Sequence, residues 1–164
     1  MSTLYGILDC AVDPSLYDHV DALPSGRSAC LFEGPLAPKV AAASPYLVEL
    51  SAVDPLSKLW RTQGWGKNWG LLLSSDEPLM TVRRRLRHFT QVRLPNNSGP
   101  VLFRFWDPRV FRRYMPSVAG DDAEDWFTDI DRYIVETEDG KGSLSFTFDG
   151  SAVAMQPGPP PAAG

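Results

Sequence analysis

Three Asp-Pro steps, Asp13-Pro14, Asp54-Pro55 and Asp107-Pro108, recur along a chain that shows no other internal repeat. An aspartate ahead of a proline is a helix start. Its carboxylate accepts from free N–H groups of the first turn, and proline's fixed φ suits the first helical position. An apolar run precedes each step: Thr3 to Cys10, Tyr46 to Leu50 and Val101 to Trp106. Apolar residues at helical spacing follow each: Leu16, Val20 and Leu23; Leu56, Leu59 and Trp60; Val110, Phe111, Tyr114 and Met115. Strands alternating with helices predict an α/β layer structure whose sheet is mixed and largely parallel, with flanking helices. The strands before residue 75 are nearly all apolar, as burial on both faces requires.

Turn residues predict two hairpins. Pro95-Asn96-Asn97-Ser98-Gly99-Pro100 separates Gln91–Leu94 from Val101–Trp106, and Glu138-Asp139-Gly140-Lys141-Gly142 separates Ile130–Glu136 from Ser143–Phe148. After Met155 the chain reads Gln-Pro-Gly-Pro-Pro-Pro-Ala-Ala-Gly, too poor in apolar side chains to offset the entropy of ordering. The expected organisation is an α/β domain over 1–116, a short acidic extension of helix plus hairpin packed on it over 117–152, and a disordered proline-rich tail over 153–164.

At 164 residues the chain is of single-domain length. No apolar run approaches the roughly 18 residues of a membrane helix, and no basic segment followed by an apolar one opens the sequence. The expectation is a cytoplasmic protein without a membrane partner. Cys10 and Cys30 sit in apolar runs and read as reduced core thiols. With His19 and His88 they form no pair at zinc-ligand spacing, so no metal and no cofactor are expected.

The net charge is −4, but it is unevenly distributed. Nine basic residues and one acid, Asp107, fall between Pro78 and Gly120. Ten acids and two basic residues fall between Asp121 and Gly150. Either the two blocks neutralise each other on the folded domain, or the basic one awaits an acidic partner. Arg83-Arg84-Arg85-Leu86-Arg87 is the natural candidate for nucleic acid. It lacks interleaved aromatics for stacking bases, and the overall charge is acidic, so no nucleic-acid partner is expected.

Nothing in the sequence assembles a catalytic constellation. There is no Gly-x-Ser-x-Gly elbow and no phosphate loop ending in Gly-Lys-Ser/Thr. Gly64-Trp65-Gly66 precedes a strand, so it offers phosphate no helix N-terminus. Asp9, at a strand end, and Glu33 are the only carboxylates that suggest an undetected enzyme. Large aromatics in a glycine-rich loop can instead anchor an interface, which singles out Trp65 and Trp69. A basic surface formed by Arg84, Arg87, Arg109, Arg112 and Arg113 would speed encounter with an acidic partner.

Six strings occur in order: Tyr5-Gly6-Ile7-Leu8-Asp9, Leu31-Phe32-Glu33-Gly34, Pro45-Tyr46-Leu47-Val48-Glu49-Leu50, Gly64-Trp65-Gly66-Lys67-Asn68-Trp69-Gly70, Leu86-Arg87-His88-Phe89 and Phe103-Arg104-Phe105-Trp106-Asp107-Pro108-Arg109-Val110. Over residues 4 to 116 the chain resembles the adaptor, or effector-chaperone, family of bacterial type VI secretion. That resemblance implies binding without catalysis: such adaptors hold a toxic effector in the cytoplasm and load it onto the VgrG spike protein. The implied partners are therefore an effector and VgrG.

Overall fold

The computed structural model describes residues 1–96 and 98–162. Seven strands form one sheet: β1 (Thr3–Asp9), β2 (Ser28–Cys30), β3 (Pro45–Glu49), β4 (Gly70–Ser75), β7 (Arg132–Glu136), β8 (Ser143–Phe148) and β9 (Val153–Gly158). Their order is β2-β3-β1-β4-β7-β8-β9, and every neighbouring pair is antiparallel. Strands β5 (Gln91–Arg93) and β6 (Pro100–Leu102) pair separately as the first predicted hairpin, although Asn97 of its turn lies outside the described residues. The helices are α1 (Leu16–Asp21), α2 (Pro38–Ala41), α3 (Pro55–Leu59), α4 (Leu79–Arg87), α5 (Pro108–Tyr114) and α6 (Gly120–Phe127).

The antiparallel sheet corrects the expectation of a largely parallel one. β1, α1 and β2 do make a crossover between parallel strands, but β3 lies between those strands and runs against both. Likewise β3 and β4 are parallel and joined through α3, with β1 inserted between them. These are two interleaved split β-α-β units, in which each crossover spans a strand of opposite direction. Helical connections fix the relative direction of the strands they join, not the identity of their neighbours.

Alternation along the central strands sorts the core onto two faces. Tyr5 and Ile7 of β1 and Leu71 and Leu73 of β4 join one cluster with Leu79, Val82 and Leu86 of α4, Phe111 of α5 and Trp126 of α6. Leu8 and Leu72 join the other, with Leu16 and Val20 of α1, Leu56 of α3, Trp60 and Trp69. The sheet is thus covered on both sides over β2–β4, and the all-apolar strands follow from that rather than from parallel pairing. Cys10 is buried in the second cluster and Cys30 is half-buried; both are free thiols.

The expectation of disorder from residue 153 is also corrected, because Val153–Gly158 pairs with β8 along its whole length. The ladder shows how a proline-containing segment can do so. Bonds from Thr137 N–H to the Gly142 carbonyl and from Asp149 N–H to the Ala152 carbonyl set its phase. Ala154, Gln156 and Gly158 then bond toward β8, while Val153, Met155 and Pro157 face the open edge. Pro157 falls where its missing N–H would have pointed away from the sheet, so it costs no ladder bond and blunts the edge. Residues 163 and 164 of the expected tail lie outside the described residues.

Candidate partner-binding site

The Gly-Trp loop begins in a π-turn over Trp60–Gly64, closed by a 2.7 Å bond from the Trp65 N–H to the Trp60 carbonyl. Gly64 has no alternative there: a Cβ would lie 2.2 Å from the Trp69 ring. The β7–β8 hairpin holds the loop from outside. The Glu136 carboxylate accepts from the Gly66 N–H at 2.8 Å and from the Asn68 N–H at 2.9 Å. The Trp65 indole donates to the Gly142 carbonyl at 3.1 Å, and a Cβ on Gly140 would lie 2.9 Å from the Gly66 Cα. Burial pushes the Glu136 carboxyl above the usual range, against the two N–H groups that favour its charged form. Trp69 is a buried core residue of the α1–α3 face, whereas Trp65 is half-buried.

The arginines fall into two groups. Helix α4 packs over β2 and β3, α5 over β7, and β1 and β4 lie between. The basic block of the sequence is therefore not one patch. On α4 the guanidinium groups are mostly committed. Arg83 donates to the carbonyls of Cys30 and Phe32, Arg85 pairs with Asp129 at 2.7 Å, and Arg87 pairs with Glu33 at 2.5 Å. Arg84 is exposed and, among the described residues, makes no ion pair.

The acidic segment lies beside this helix. Asp125 meets His88 at 3.2 Å, and Trp126 stacks on Phe89 with ring centroids 3.7 Å apart. The two charge blocks therefore meet in part on the folded domain, at Arg85–Asp129.

Helix α5 presents a different picture. Asp107 caps it, accepting from the Arg109 N–H at 2.9 Å and holding the Arg109 guanidinium through two bonds of 3.0 and 2.9 Å. Burial raises the Asp107 carboxyl, but Arg109's side chain and backbone outweigh it, and the net position is below the usual carboxylate range. Arg112 donates to the Glu136 backbone carbonyl at 2.9 Å, tying α5 to β7, and Arg113 is exposed. Arg109, Arg112 and Arg113 line one open groove of about 940 Å³ with Val110, Tyr114 and Leu144. Of the seven residues singled out by sequence, the structure brings these three together. It places Arg84 and Arg87 on another helix and Trp65 in the loop.

The carboxylates that suggested an enzyme are separately occupied. Asp9 is buried, accepts from the Ala11 N–H and pairs with Arg104 at 2.5 Å, while Glu33 holds Arg87. Sequence reasoning missed Glu136, the clamp of the Gly-Trp loop. The signal available was a glutamate directly after the apolar run Tyr133–Val135. Among the described residues no group of three or more His, Cys, Asp or Glu could hold a metal ion, and no helix is long and apolar enough to cross a membrane.

No curated protein and no solved structure matches the chain. A family model does match, over residues 4–124. That span contains the Gly-Trp loop and the three arginines of α5, and it stops within α6, before the hairpin that supplies Glu136 and Leu144. The chain belongs to the family described as Domain of unknown function (DUF4123).

Proposed function

We propose that this protein is a non-catalytic adaptor of bacterial type VI secretion, which binds an effector in the cytoplasm and passes it to the VgrG spike. The observation that carries this reading is the α5 groove, where three guanidinium groups border the apolar side chains of Val110, Tyr114 and Leu144. Arginine beside aromatic and aliphatic surface is the composition of protein interfaces. Family membership, and the resemblance of the six strings to type VI adaptors, support it further. The separate commitment of Asp9 and Glu33 to arginines favours binding over catalysis.

The test is a tagged pull-down from the native bacterium, repeated with Arg109→Glu/Arg113→Glu. Recovery of a VgrG protein and one toxin, both lost in the folded double variant, is the expected result. Recovery of neither by the folded, expressed parent chain would overturn the adaptor reading. An unchanged complex in the folded variant would remove the α5 groove from it.

A further inference from the structure

The α5 groove is an exception on an acidic molecule. The chain's net charge is −4, yet this groove is lined by three guanidinium groups and a single carboxylate, Glu138. Glu138 is exposed and, among the described residues, forms an ion pair with none of the three. Arg109, Arg112 and Arg113 stand at i, i+3 and i+4 within Pro108–Tyr114, so they share one helix face. Four residues of α-helix rise about 6 Å, which is the axial separation of Arg109 and Arg113.

The three guanidinium groups are held to different degrees. Arg109 Nε and Nη2 donate to Asp107 at 3.0 and 2.9 Å, and Nη1 has no bond among the described residues. Arg112 donates through Nη1 alone, at 2.9 Å to the Glu136 carbonyl, so its Nε and Nη2 are unused. Arg113 is exposed and, among the described residues, makes no ion pair. Two planar forks are thus fixed with donors to spare, and a third stands free beside them. Such a fork meets a carboxylate with two parallel bonds, and one already fixed loses less freedom in doing so.

Apolar surface adjoins these charges. Val110, Tyr114 and Leu144 line the same groove and are half-buried. The Tyr114 ring is itself positioned by packing, with centroids 4.9 Å from Phe103 and 5.8 Å from Trp126. A nucleic-acid backbone would meet the guanidinium groups and leave this aliphatic and aromatic surface uncovered. A helix with carboxylates at i and i+4, again about 6 Å apart, and apolar residues at i+3 and i+7 on the same face meets both. Laying the apolar face of such a helix into a groove is a common mode of recognition.

We propose that the α5 groove takes an acidic amphipathic helix of a partner protein, its carboxylates on Arg109 and Arg113 and its apolar side chains on Val110, Tyr114 and Leu144. The inference rests on the adaptor reading for the groove's role and adds the chemistry of what fills it.

The purified full chain is titrated with a fluorescent, end-capped peptide of about 14 residues, long enough to be partly helical. Built from Glu, Leu and Ala, it carries Glu at i and i+4 and Leu at i+3 and i+7. One control peptide has Lys for every Glu and a second has Ser for every Leu; a single-stranded oligonucleotide is the third. Fluorescence anisotropy is expected to show binding of the Glu-Leu peptide that weakens with salt, and much weaker binding of all three controls. Arg113→Glu, with the circular dichroism of the parent, should lose about tenfold or more in affinity, the scale of one charge-assisted contact. Arg84→Glu, at an equally exposed arginine on α4, should lose less than about twofold, because charges that far from the groove are screened. No binding of the Glu-Leu peptide at low salt, equal loss in the two variants, undiminished binding of the Ser-substituted peptide or tighter binding of the oligonucleotide would each overturn the proposal. Those results alongside an intact pull-down would remove the acidic helix and leave the adaptor reading standing; peptide binding alongside a failed pull-down would do the reverse.

Discussion

Gly70 opens β4 immediately after the Gly-Trp loop, and its replacement by alanine should be among the most damaging single-methyl changes in the protein. Two costs add. The backbone sits at φ +153°, a region that side chains rarely adopt. Holding a residue in such a region costs about 1–3 kcal/mol. The added Cβ would also lie 1.7 Å from the Ile7 carbonyl oxygen and 2.9 Å from its carbon. That oxygen is backbone in the central strand β1, so no rotamer change relieves the overlap. β1 and β4 would have to separate, at a further cost of about 1–3 kcal/mol or more on the scale of overpacked cores. Gly26→Ala provides the internal reference: φ is +84° and nothing lies within 4 Å of the added Cβ, so only the backbone cost of about 1–2 kcal/mol applies. For a domain near this size each kcal/mol moves Tm by about 2–4 °C. Thermal and urea unfolding should place Gly70→Ala well below Gly26→Ala in both Tm and midpoint. Equal losses in the two would refute the steric argument and show that β4 can leave β1 freely at its first residue.

Two further outcomes follow from the packing and the charges. Phe89→Ala and Trp126→Ala should be strongly coupled in a double-mutant cycle, by about 0.5–1.5 kcal/mol for their stacked rings, and additive losses would place the anchor of the acidic segment elsewhere. Asp54 and Glu136 should oppose each other in pH titrations of stability. The Arg27 side chain holds the Asp54 carboxyl below its ordinary value, so its contribution is present above that value and is lost as pH falls through the lowered one. Burial raises Glu136, so its contribution is present below its ordinary value and is lost as pH rises through the raised one. Asp54→Asn should flatten the acid limb of the stability curve, and Glu136→Gln should remove a decline on its higher-pH side. A shared direction for the two variants would contradict these assignments.

The elements themselves were largely readable from residues. Asp107-Pro108 starts α5 with the predicted cap, and Asp54-Pro55 starts α3. The Asp54 carboxylate, however, serves the half-buried Arg27 guanidinium and the Ser51 N–H rather than the helix. The second hairpin appears where Glu138–Gly142 predicted it, between Arg132–Glu136 and Ser143–Phe148. Neighbour relations were not readable. An apolar strand buried on both faces has the same composition whether its neighbours run with it or against it, and nothing in Thr3–Asp9 announces that β3 will come between β1 and β2. β9 was hidden by composition, since only the ladder's phase shows that Pro157 occupies an outward position. Of the site, the grouping of Arg109, Arg112 and Arg113 follows from helical spacing. Their separation from Arg84 and Arg87 follows from which strands α4 and α5 cover, and no local pattern encodes that.

The position of β1 has a consequence for synthesis. β1 is made before either of the strands that flank it: Ile7 meets Leu47 on one edge and Leu71 on the other. Until β4 has emerged, an apolar segment that ends up buried on both faces has no complete place in a sheet, and pairing this non-local is slow to form. β7, β8 and β9 then add as a meander, each strand beside the one made just before it. A long interval with β1 incompletely paired therefore precedes the local pairing of β7, β8 and β9. The interval in which it most needs protection from other chains falls before residue 75, not while the acidic and proline-rich end is being made.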